Sequence, residues 1–188
     1  MRARGLVLSV LVPAAVLLAT GACGSSLAPS SGGAAGAEGD SSQKAGTVAT
    51  DFSARDVEGK TVRLSDYLGK QAILINFWAT WCQPCLAEMS HLRKMYESNK
   101  AKGFVVLAVS MDGPDTVAEV PSFAKRNGMT FPVLLDEDSH VASIYNPKKA
   151  APLSVLIDKN GKVVNVHEGY NPGDEEVLAK EVAAVLTP

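Results

Sequence analysis

The sequence predicts an α/β fold in which helices flank a mixed central β-sheet, with an added β-hairpin at the N-terminal end. Short, almost continuous apolar runs have the length and composition of strands that are buried on both faces. Amphipathic helical patterns separate these runs, and such an alternation is typical of α/β proteins. A hairpin pattern stands before the series and another near its end. The apolar runs occupy residues 72–78, 104–109, 131–135 and 153–157.

The chain enters this series through two local turns. Phe52 and Val62 flank a polar, glycine-containing turn at residues 56–60, which indicates a β-hairpin. Ser65 stands where it would cap a short helical turn, and Gly69 would end that turn. Both features precede the first long strand.

The longest helix follows the first long strand and extends to about Lys100. Its evidence is a set of apolar side chains at the spacing of one helix face. The members of this set are Cys85, Met89, Leu92 and Tyr96.

The second half of the chain continues the alternation. The stretch from Thr116 to Glu119 has the spacing of a capping box, which predicts a helix to about Asn127 with a kink or a late start at Pro121. The acidic run at 136–138 is typical of a solvated turn or a helix start. The remaining predicted elements are a short helix over 140–145, a hairpin of strands 153–157 and 163–167, and a last helix that begins near Asp174.

Composition excludes some classes of function. The 188 residues include 18 basic and 20 acidic side chains, for a formal net charge of -2. A dedicated nucleic-acid binder would carry a basic stripe with interleaved aromatic residues, and the sequence has none. We therefore expect no nucleic-acid partner. The three cysteines, two of them only three positions apart, do not form the spread pattern of a structural disulfide framework.

The N-terminus has the features of an export signal. Arg2 and Arg4 precede an apolar run over residues 6–19, and small residues follow it. The run holds about 14 residues, fewer than the roughly 20 that a spanning helix needs. We therefore predict a lipoprotein-type signal peptide over residues 1–22.

Cys23 lies just after this leader. Its surroundings, Gly21-Ala22-Cys23-Gly24, resemble a bacterial lipobox, in which the signal peptidase cleaves before a cysteine that carries the lipid. The alternative is conventional cleavage near Ala22, with Cys23 a free thiol in a flexible tail. The sequence thus predicts a lipid-anchored, Gly-, Ala- and Ser-rich flexible linker over residues 23–47 and a folded domain over residues 48–188.

The close cysteine pair stands where the first long strand gives way to the long helix. Cys82 would therefore lie at a helix N-terminus, where unpaired N–H groups and the helix dipole favour a thiolate. Cys85 lies one turn further into the helix, within reach of Cys82 and more buried. Pro84 suits the first helical turn, where a missing N–H costs little. This pattern indicates a dithiol that cycles between reduced and oxidised forms.

The folded part resembles the thioredoxin fold, and specifically the exported TlpA/ResA-like thiol-disulfide oxidoreductases, a redoxin or AhpC/TSA-like group. The resemblance covers about residues 48–186. The motifs that carry it are Asn76-Phe77-Trp78-Ala79-Thr80-Trp81-Cys82-Gln83-Pro84-Cys85, Asp51-Phe52 with Gly59-Lys60, and Ala151-Pro152 ahead of Leu156-Ile157-Asp158-Lys159-Asn160-Gly161-Lys162.

This resemblance implies roles for the residues of the dithiol region. Cys82 would attack and Cys85 would resolve, so that the two form a redox-active disulfide. Pro152 would be a cis-proline that faces the dithiol and, with Ala151, offers extended backbone to a substrate. The alternative for Pro152 is an ordinary trans-proline that opens an edge strand. Trp81 would line the substrate face.

Glu88 matches the acid that these relatives carry three residues after the second cysteine. It would exchange a proton with the dithiol, and the alternative is a solvated glutamate on the helix face. Asn76 stands where cytosolic thioredoxins have an aspartate. Because an amide does not titrate, Glu88 becomes the candidate for proton transfer.

The expected function is reduction of disulfides in exported proteins, such as apocytochrome c or a metal-site assembly protein, on the extracytoplasmic face of a bacterial membrane. The resemblance implies a membrane thiol reductase of the CcdA or DsbD type as electron donor, and neither a cofactor nor a metal.

Two other functions compete with reduction. A peroxiredoxin-like peroxidase shares the opening hairpin, although Thr80 stands two positions before Cys82 and not the three of a Thr-x-x-Cys site. A copper-binding assembly chaperone would combine the cysteines with a histidine, and imidazole and thiolate both suit copper. The candidate histidines are His91, His140 and His167.

Overall fold

The computed structural model describes residues 43–187 of the chain. The predicted signal peptide, Cys23 and most of the predicted linker lie outside these residues, so the partition of the chain stays a prediction. Seven strands form one sheet: β1 (Ser53–Asp56), β2 (Thr61–Arg63), β3 (Ala72–Trp78), β4 (Phe104–Ser110), β5 (Val133–Leu135), β6 (Leu153–Ile157) and β7 (Val163–Glu168).

The sheet is mixed, as the sequence predicts. Its strand order is β2-β1-β5-β4-β3-β6-β7. The pairs β3–β4 and β4–β5 are parallel, and the remaining neighbours are antiparallel. The predicted N-terminal hairpin is β1–β2, which extends the sheet at one edge. Strand β3 lies between β4 and β6, so the dithiol follows a strand in the interior of the sheet.

Helices cover both faces of this sheet. They are α1 (Gln83–Asn99), α2 (Val120–Arg126), α3 (His140–Tyr145) and α4 (Asp174–Leu186), with 3₁₀ turns at Leu64–Asp66, Lys100–Lys102 and Val117–Glu119. Successive residues of β3 point to opposite faces, and both faces are buried. Leu74 and Trp78 pack with residues of α1, α2 and α4, whereas Ile75 and Phe77 pack with residues of α3. This double burial explains why the strand is apolar at almost every position.

The structure lacks the capping hydrogen bonds predicted for Ser65 and Thr116. Ser65 lies inside the 3₁₀ turn that Arg63 precedes, and its backbone N–H donates to Asp51 Oδ1 at 2.9 Å. Thr116 is the N-cap of a 3₁₀ turn, but its side chain makes no capping hydrogen bond. The α-helix starts only at Val120, with Pro121 in its first turn, so the late start expected from Pro121 is confirmed.

The acidic run at 136–138 lies just before helix α3, and its first residue is buried rather than solvated. Asp136 is buried, and its two carboxylate oxygens accept the backbone N–H groups of Val141 and Ala142, each at 2.8 Å. These donors belong to the first turn of α3, where N–H groups have no partner within the helix. The carboxylate thus satisfies a buried helix end.

Contacts with the sheet begin before the predicted domain boundary at residue 48. Gly46 N–H donates to Val163 O at 2.8 Å, and Val163 N–H donates to Thr47 O at 2.9 Å. The edge of β7 offers backbone groups that need partners, and this segment supplies them. Within residues 43–187, no helix combines the length and the apolar character that crossing a bilayer requires.

Candidate active site

The dithiol region is held in a short loop between β3 and α1. Cys82 is the N-cap of α1, with extended backbone angles (φ -88°, ψ 99°), and Pro84 lies in the first turn. Cys85 N–H donates to Cys82 Sγ at 3.3 Å. One of the four N–H groups that a helix leaves unpaired therefore points at the first sulfur.

A disulfide joins Cys82 and Cys85. Cys82 is 5% exposed and Cys85 is 1% exposed, so the second sulfur is the more deeply buried. The neighbouring Trp81 is 60% exposed, whereas Trp78 is fully buried and packs against Phe123 with ring centroids 5.5 Å apart. Of the two tryptophans, only Trp81 is available to a partner molecule.

Glu88 lies one helical turn after Cys85, and it is buried rather than solvated. Its Oε2 accepts a hydrogen bond from Asn76 Nδ2 at 3.0 Å, and its Oε1 accepts one from the Ser154 hydroxyl at 3.3 Å. Burial raises the pKa of the Glu88 carboxyl, and the hydrogen bonds from Asn76 and Ser154 oppose this effect. The side chain is thus a buried acid that holds its proton to a higher pH than usual.

The Asn76 amide can serve both protonation states of Glu88. Its Nδ2 donates to Glu88 and also to Ser154 Oγ at 3.0 Å, while its buried Oδ1 has no hydrogen-bond partner among residues 43–187. A half-turn of the amide exchanges Nδ2 and Oδ1. Protonated Glu88 would then find an acceptor where the carboxylate finds a donor.

The Ala151–Pro152 peptide bond is cis, the geometry that the resemblance implies. The proline carbonyl accepts Gly169 N–H at 2.8 Å, which joins the start of β6 to the end of β7. Ser154 stands two residues after the proline, so its hydroxyl reaches the interior beside Glu88. Ser154 is not among the site residues predicted from the sequence. The period-2 pattern of the strand could have placed it on the face of Asn76, which is its register partner.

A second buried carboxylate, which is not among the predicted site residues, holds the loop before Cys82. Asp112 Oδ2 accepts Thr80 N–H at 3.0 Å and the Ser110 hydroxyl at 2.8 Å, and its Oδ1 accepts the Thr80 hydroxyl at 2.5 Å. Asp112 is 1% exposed. It therefore ties the end of β4 to the turn that presents the dithiol.

The residues that the two competing functions would use have other surroundings in residues 43–187. Ala79, not a threonine, stands three positions before Cys82, and the Thr80 hydroxyl is bound to Asp112. Among residues 43–187, no three His, Cys, Asp or Glu side chains form a group that could hold a metal ion. His167 Nε2 lies 2.6 Å from Glu181 Oε2, and His91 Nδ1 lies 3.8 Å from Glu175 Oε1.

A pair of cysteines that closes into a disulfide at the start of a helix is suited to thiol-disulfide exchange. The pair follows β3, an interior strand of the mixed sheet, and a cis-proline directly precedes β6, the antiparallel neighbour of β3. Fold and site together define a thiol-disulfide oxidoreductase of the thioredoxin fold, which is an enzyme class.

Comparisons with known proteins agree with this class. The AhpC/TSA family model matches residues 45–166. The chain is 41% identical over 124 residues to the thiol-disulfide oxidoreductase ResA of Geobacillus kaustophilus, which covers 66% of this chain and 69% of the relative. It is 33% identical over 145 residues to ResA of Halalkalibacterium halodurans, which covers 77% and 78%. The chain therefore belongs to the AhpC/TSA family, and its relatives there include the ResA thiol-disulfide oxidoreductases.

Solved structures agree with the fold. A thiol:disulfide interchange protein DsbE from Chlorobium tepidum superposes with a TM-score of 0.71 at 35% identity, covering 78% of this chain and all of that one. A thioredoxin from Neisseria meningitidis gives a TM-score of 0.64 at 34% identity, covering 73% and 88%. The thioredoxin fold predicted from the sequence is confirmed.

Proposed function

We propose that this enzyme reduces disulfides of exported proteins on the extracytoplasmic face of a bacterial membrane. The observation that carries the proposal is the position of the Cys82–Cys85 disulfide, whose first sulfur accepts the Cys85 N–H at the start of α1. After reduction, the same N–H group and the helix dipole would stabilise a Cys82 thiolate. A stabilised thiolate is the form that attacks a disulfide.

The reaction takes two exchange steps. In the first, the Cys82 thiolate attacks one sulfur of the substrate disulfide, a mixed disulfide forms, and the other substrate sulfur leaves as a thiolate that takes up a proton. In the second, the Cys85 thiol gives its proton to Glu88 and the resulting thiolate attacks Cys82. The Cys82–Cys85 disulfide forms, and the second substrate sulfur leaves as a thiolate that takes up a proton. Two electrons pass from the enzyme to the substrate.

The surroundings of Glu88 suit the second step. A buried carboxyl with a raised pKa binds a proton more readily near neutral pH than an exposed glutamate does. The Asn76 amide offers a donor to the carboxylate and, after a half-turn, an acceptor to the acid. Glu88 can therefore keep a hydrogen bond to Asn76 in both protonation states.

The remaining parts of the proposal concern location and electron supply. The leader over residues 1–22 would direct export, and a lipid on Cys23 would hold the domain at the membrane. A membrane thiol reductase of the CcdA or DsbD type would then return electrons to the disulfide. Anchoring both partners to one membrane raises their effective concentration. Replacing Cys23 with Ser should abolish incorporation of labelled fatty acid, and unchanged incorporation would contradict lipidation.

Trapping identifies the substrates. A Cys85→Ser variant expressed in its own host should accumulate mixed disulfides through Cys82, because the resolving thiol is missing. A Cys82→Ser variant is the matched control and should trap nothing. Trapping that requires Cys85 instead would reverse the two roles, and trapping by neither variant would contradict the proposed function.

A redox titration tests the direction of transfer. For a reductase, the equilibrium of Cys82–Cys85 with glutathione should give a potential near that of thioredoxin, about -270 mV. A value near that of the strong oxidant DsbA, about -120 mV, would instead indicate disulfide formation.

A further inference from the structure

A cavity of about 230 Å³ adjoins Glu88 on the face of the sheet that α1 and α4 cover. Side chains from three elements and one loop line it, and several of them titrate. These are Glu88 and His91 of α1, His167 and Glu168 of β7, Tyr170 of the following loop, and Asp174 and Glu175 of α4. A water molecule occupies about 30 Å³ in the liquid, so the cavity has room for several.

His167 stands next to the buried site on the neighbouring strand. It is the register partner of Ser154, whose hydroxyl donates to Glu88. Its own side chain is 31% exposed, so the imidazole lies between the buried carboxyl and solvent. Its Nε2 is 2.6 Å from Glu181 Oε2, and the Glu181 carboxylate also accepts the Asn165 amide. With the Nε2–H bound to Glu181, Nδ1 is the nitrogen that can accept a proton.

We propose that His167 relays protons between Glu88 and solvent through this cavity. The inference rests on the proposed function and deepens it, because it states where the proton from Cys85 goes. The Glu88 carboxyl gives its proton to cavity water, the water gives one to His167 Nδ1, and the imidazolium releases one to bulk solvent. No net charge accumulates in the interior.

The electrostatic surroundings support a proton carrier at this position. The charged and titratable groups around His167 are Glu88 and His91 from α1, Glu168 on its own strand, Tyr170, and Asp174, Glu175 and Glu181 from α4. Carboxylates predominate among these groups, so the surroundings of His167 are mainly acidic. Conversely, the charge of His167 lowers the pKa of Glu88 and so opposes the effect of burial. An imidazole has two ring nitrogens and can both accept and release a proton, as a relay requires.

The test separates proton relay from a structural role. In a Cys23→Ser background, 5,5′-dithiobis(2-nitrobenzoate) releases one coloured thiolate when Cys82 attacks and a second when Cys85 resolves. His167→Gln retains a donor for Glu181 but cannot carry a proton, and His167→Ala removes both functions. Because His167 is partly exposed, both variants should fold.

We expect the second release to slow by roughly tenfold in both variants, less than the 10²–10⁴-fold typical of losing a general base itself. The first release should be unchanged, and added imidazole should restore the second in His167→Ala. His140→Gln on α3, outside the cavity, is the control and should behave like the wild type. A wild-type rate of the second release in His167→Gln without imidazole would indicate that His167 only holds Glu181 in place. An unchanged pH dependence of the second release in both variants would also overturn the relay.

A second measurement needs no turnover. In the oxidised protein, the pKa of the Glu88 carboxyl, followed by ¹³C NMR, should rise in His167→Gln because a nearby positive charge is lost. An unchanged pKa of Glu88 would contradict the electrostatic coupling between His167 and Glu88. Failure of the wild-type protein to give the second release would contradict the proposed function instead, so the two failures are distinguishable.

Discussion

Asn76 Nδ2 lies 3.0 Å from Glu88 Oε2 in the interior of the protein. A neutral amide thus stands beside the buried acid that lies three residues after Cys85. An aspartate in place of Asn76 would put two carboxyl groups in contact, and one of them would have to stay protonated. The amide leaves Glu88 as the titrating group of this pair.

Glu88→Gln should change the pH dependence of stability. Because the folded-state pKa of Glu88 is raised, the stability that its protonated form provides is fully present below the unfolded-state pKa and is lost as the pH rises through the raised value. The Gln variant, neutral throughout, should therefore have the higher free energy of unfolding at pH 8, and the gap should narrow toward pH 4. Urea unfolding of the oxidised proteins measures this. Glu137→Gln, at an exposed turn, is the control, and a pH-independent gap for Glu88→Gln would contradict the account.

Asn76→Asp should destabilise the protein at neutral pH by about 2 kcal/mol or more, since it adds a second buried carboxylate and removes a donor. Lowering the pH should restore most of the lost stability, because it protonates the two carboxyl groups. The double variant Asn76→Asp with Glu88→Gln completes a double-mutant cycle and should recover stability at pH 8. Additive effects in that cycle would show that the two side chains do not interact.

Asp112→Ala should loosen the loop that precedes the dithiol. The change leaves the Thr80 N–H and the hydroxyls of Thr80 and Ser110 without their acceptor, at a cost of about 1–3 kcal/mol. Hydrogen exchange of the Thr80 amide should accelerate in proportion to this loss of stability. Asp112→Asn keeps one acceptor oxygen and should have the smaller effect on both quantities. Unchanged protection of the Thr80 amide in the Ala variant would show that Asp112 does not hold this loop.

Trp81→Ala should weaken the binding of protein substrates more than that of small disulfides. The side chain is 60% exposed, so its loss should change the free energy of unfolding by only about 0.5 kcal/mol. An exposed aromatic side chain beside the dithiol can contact a polypeptide, so KM for a disulfide-bonded protein should rise while the rate with a small disulfide stays the same. Val177→Ala, another exposed apolar position, on α4, is the comparison. Equal effects on both substrate types would remove Trp81 from the binding surface.

The strands and the long helix could be predicted from the sequence because burial on both faces of the sheet leaves a continuous apolar signal. Strand β3 and helix α1 begin and end at or within a residue or two of their predicted limits. The caps could not be predicted as reliably. Ser65 and Thr116 have the right residue types, but tertiary contacts decide which N–H groups need an acceptor, and near Ser65 the acceptor is Asp51.

The candidate site was predictable where its residues are close in sequence. Cys82, Cys85 and Glu88 share one helix, so their proximity follows from its geometry. Ser154 and His167 lie on other strands and Asp112 follows the end of β4, so only the pairing of those strands brings them to the site. An isolated serine or aspartate in an apolar strand does not show which residue it will face.

The account depends most on a Cys82 thiolate that the start of α1 stabilises. In a variant with Cys23→Ser and Cys85→Ser, Cys82 is the single thiol of the chain, and its rate of alkylation by iodoacetamide against pH gives its pKa. We predict a midpoint clearly below the value of about 8.5 for free cysteine, and a return to that value when the variant is unfolded in urea. A folded-state midpoint at or above 8.5 would contradict the account, because the helix end would then give Cys82 no advantage in exchange.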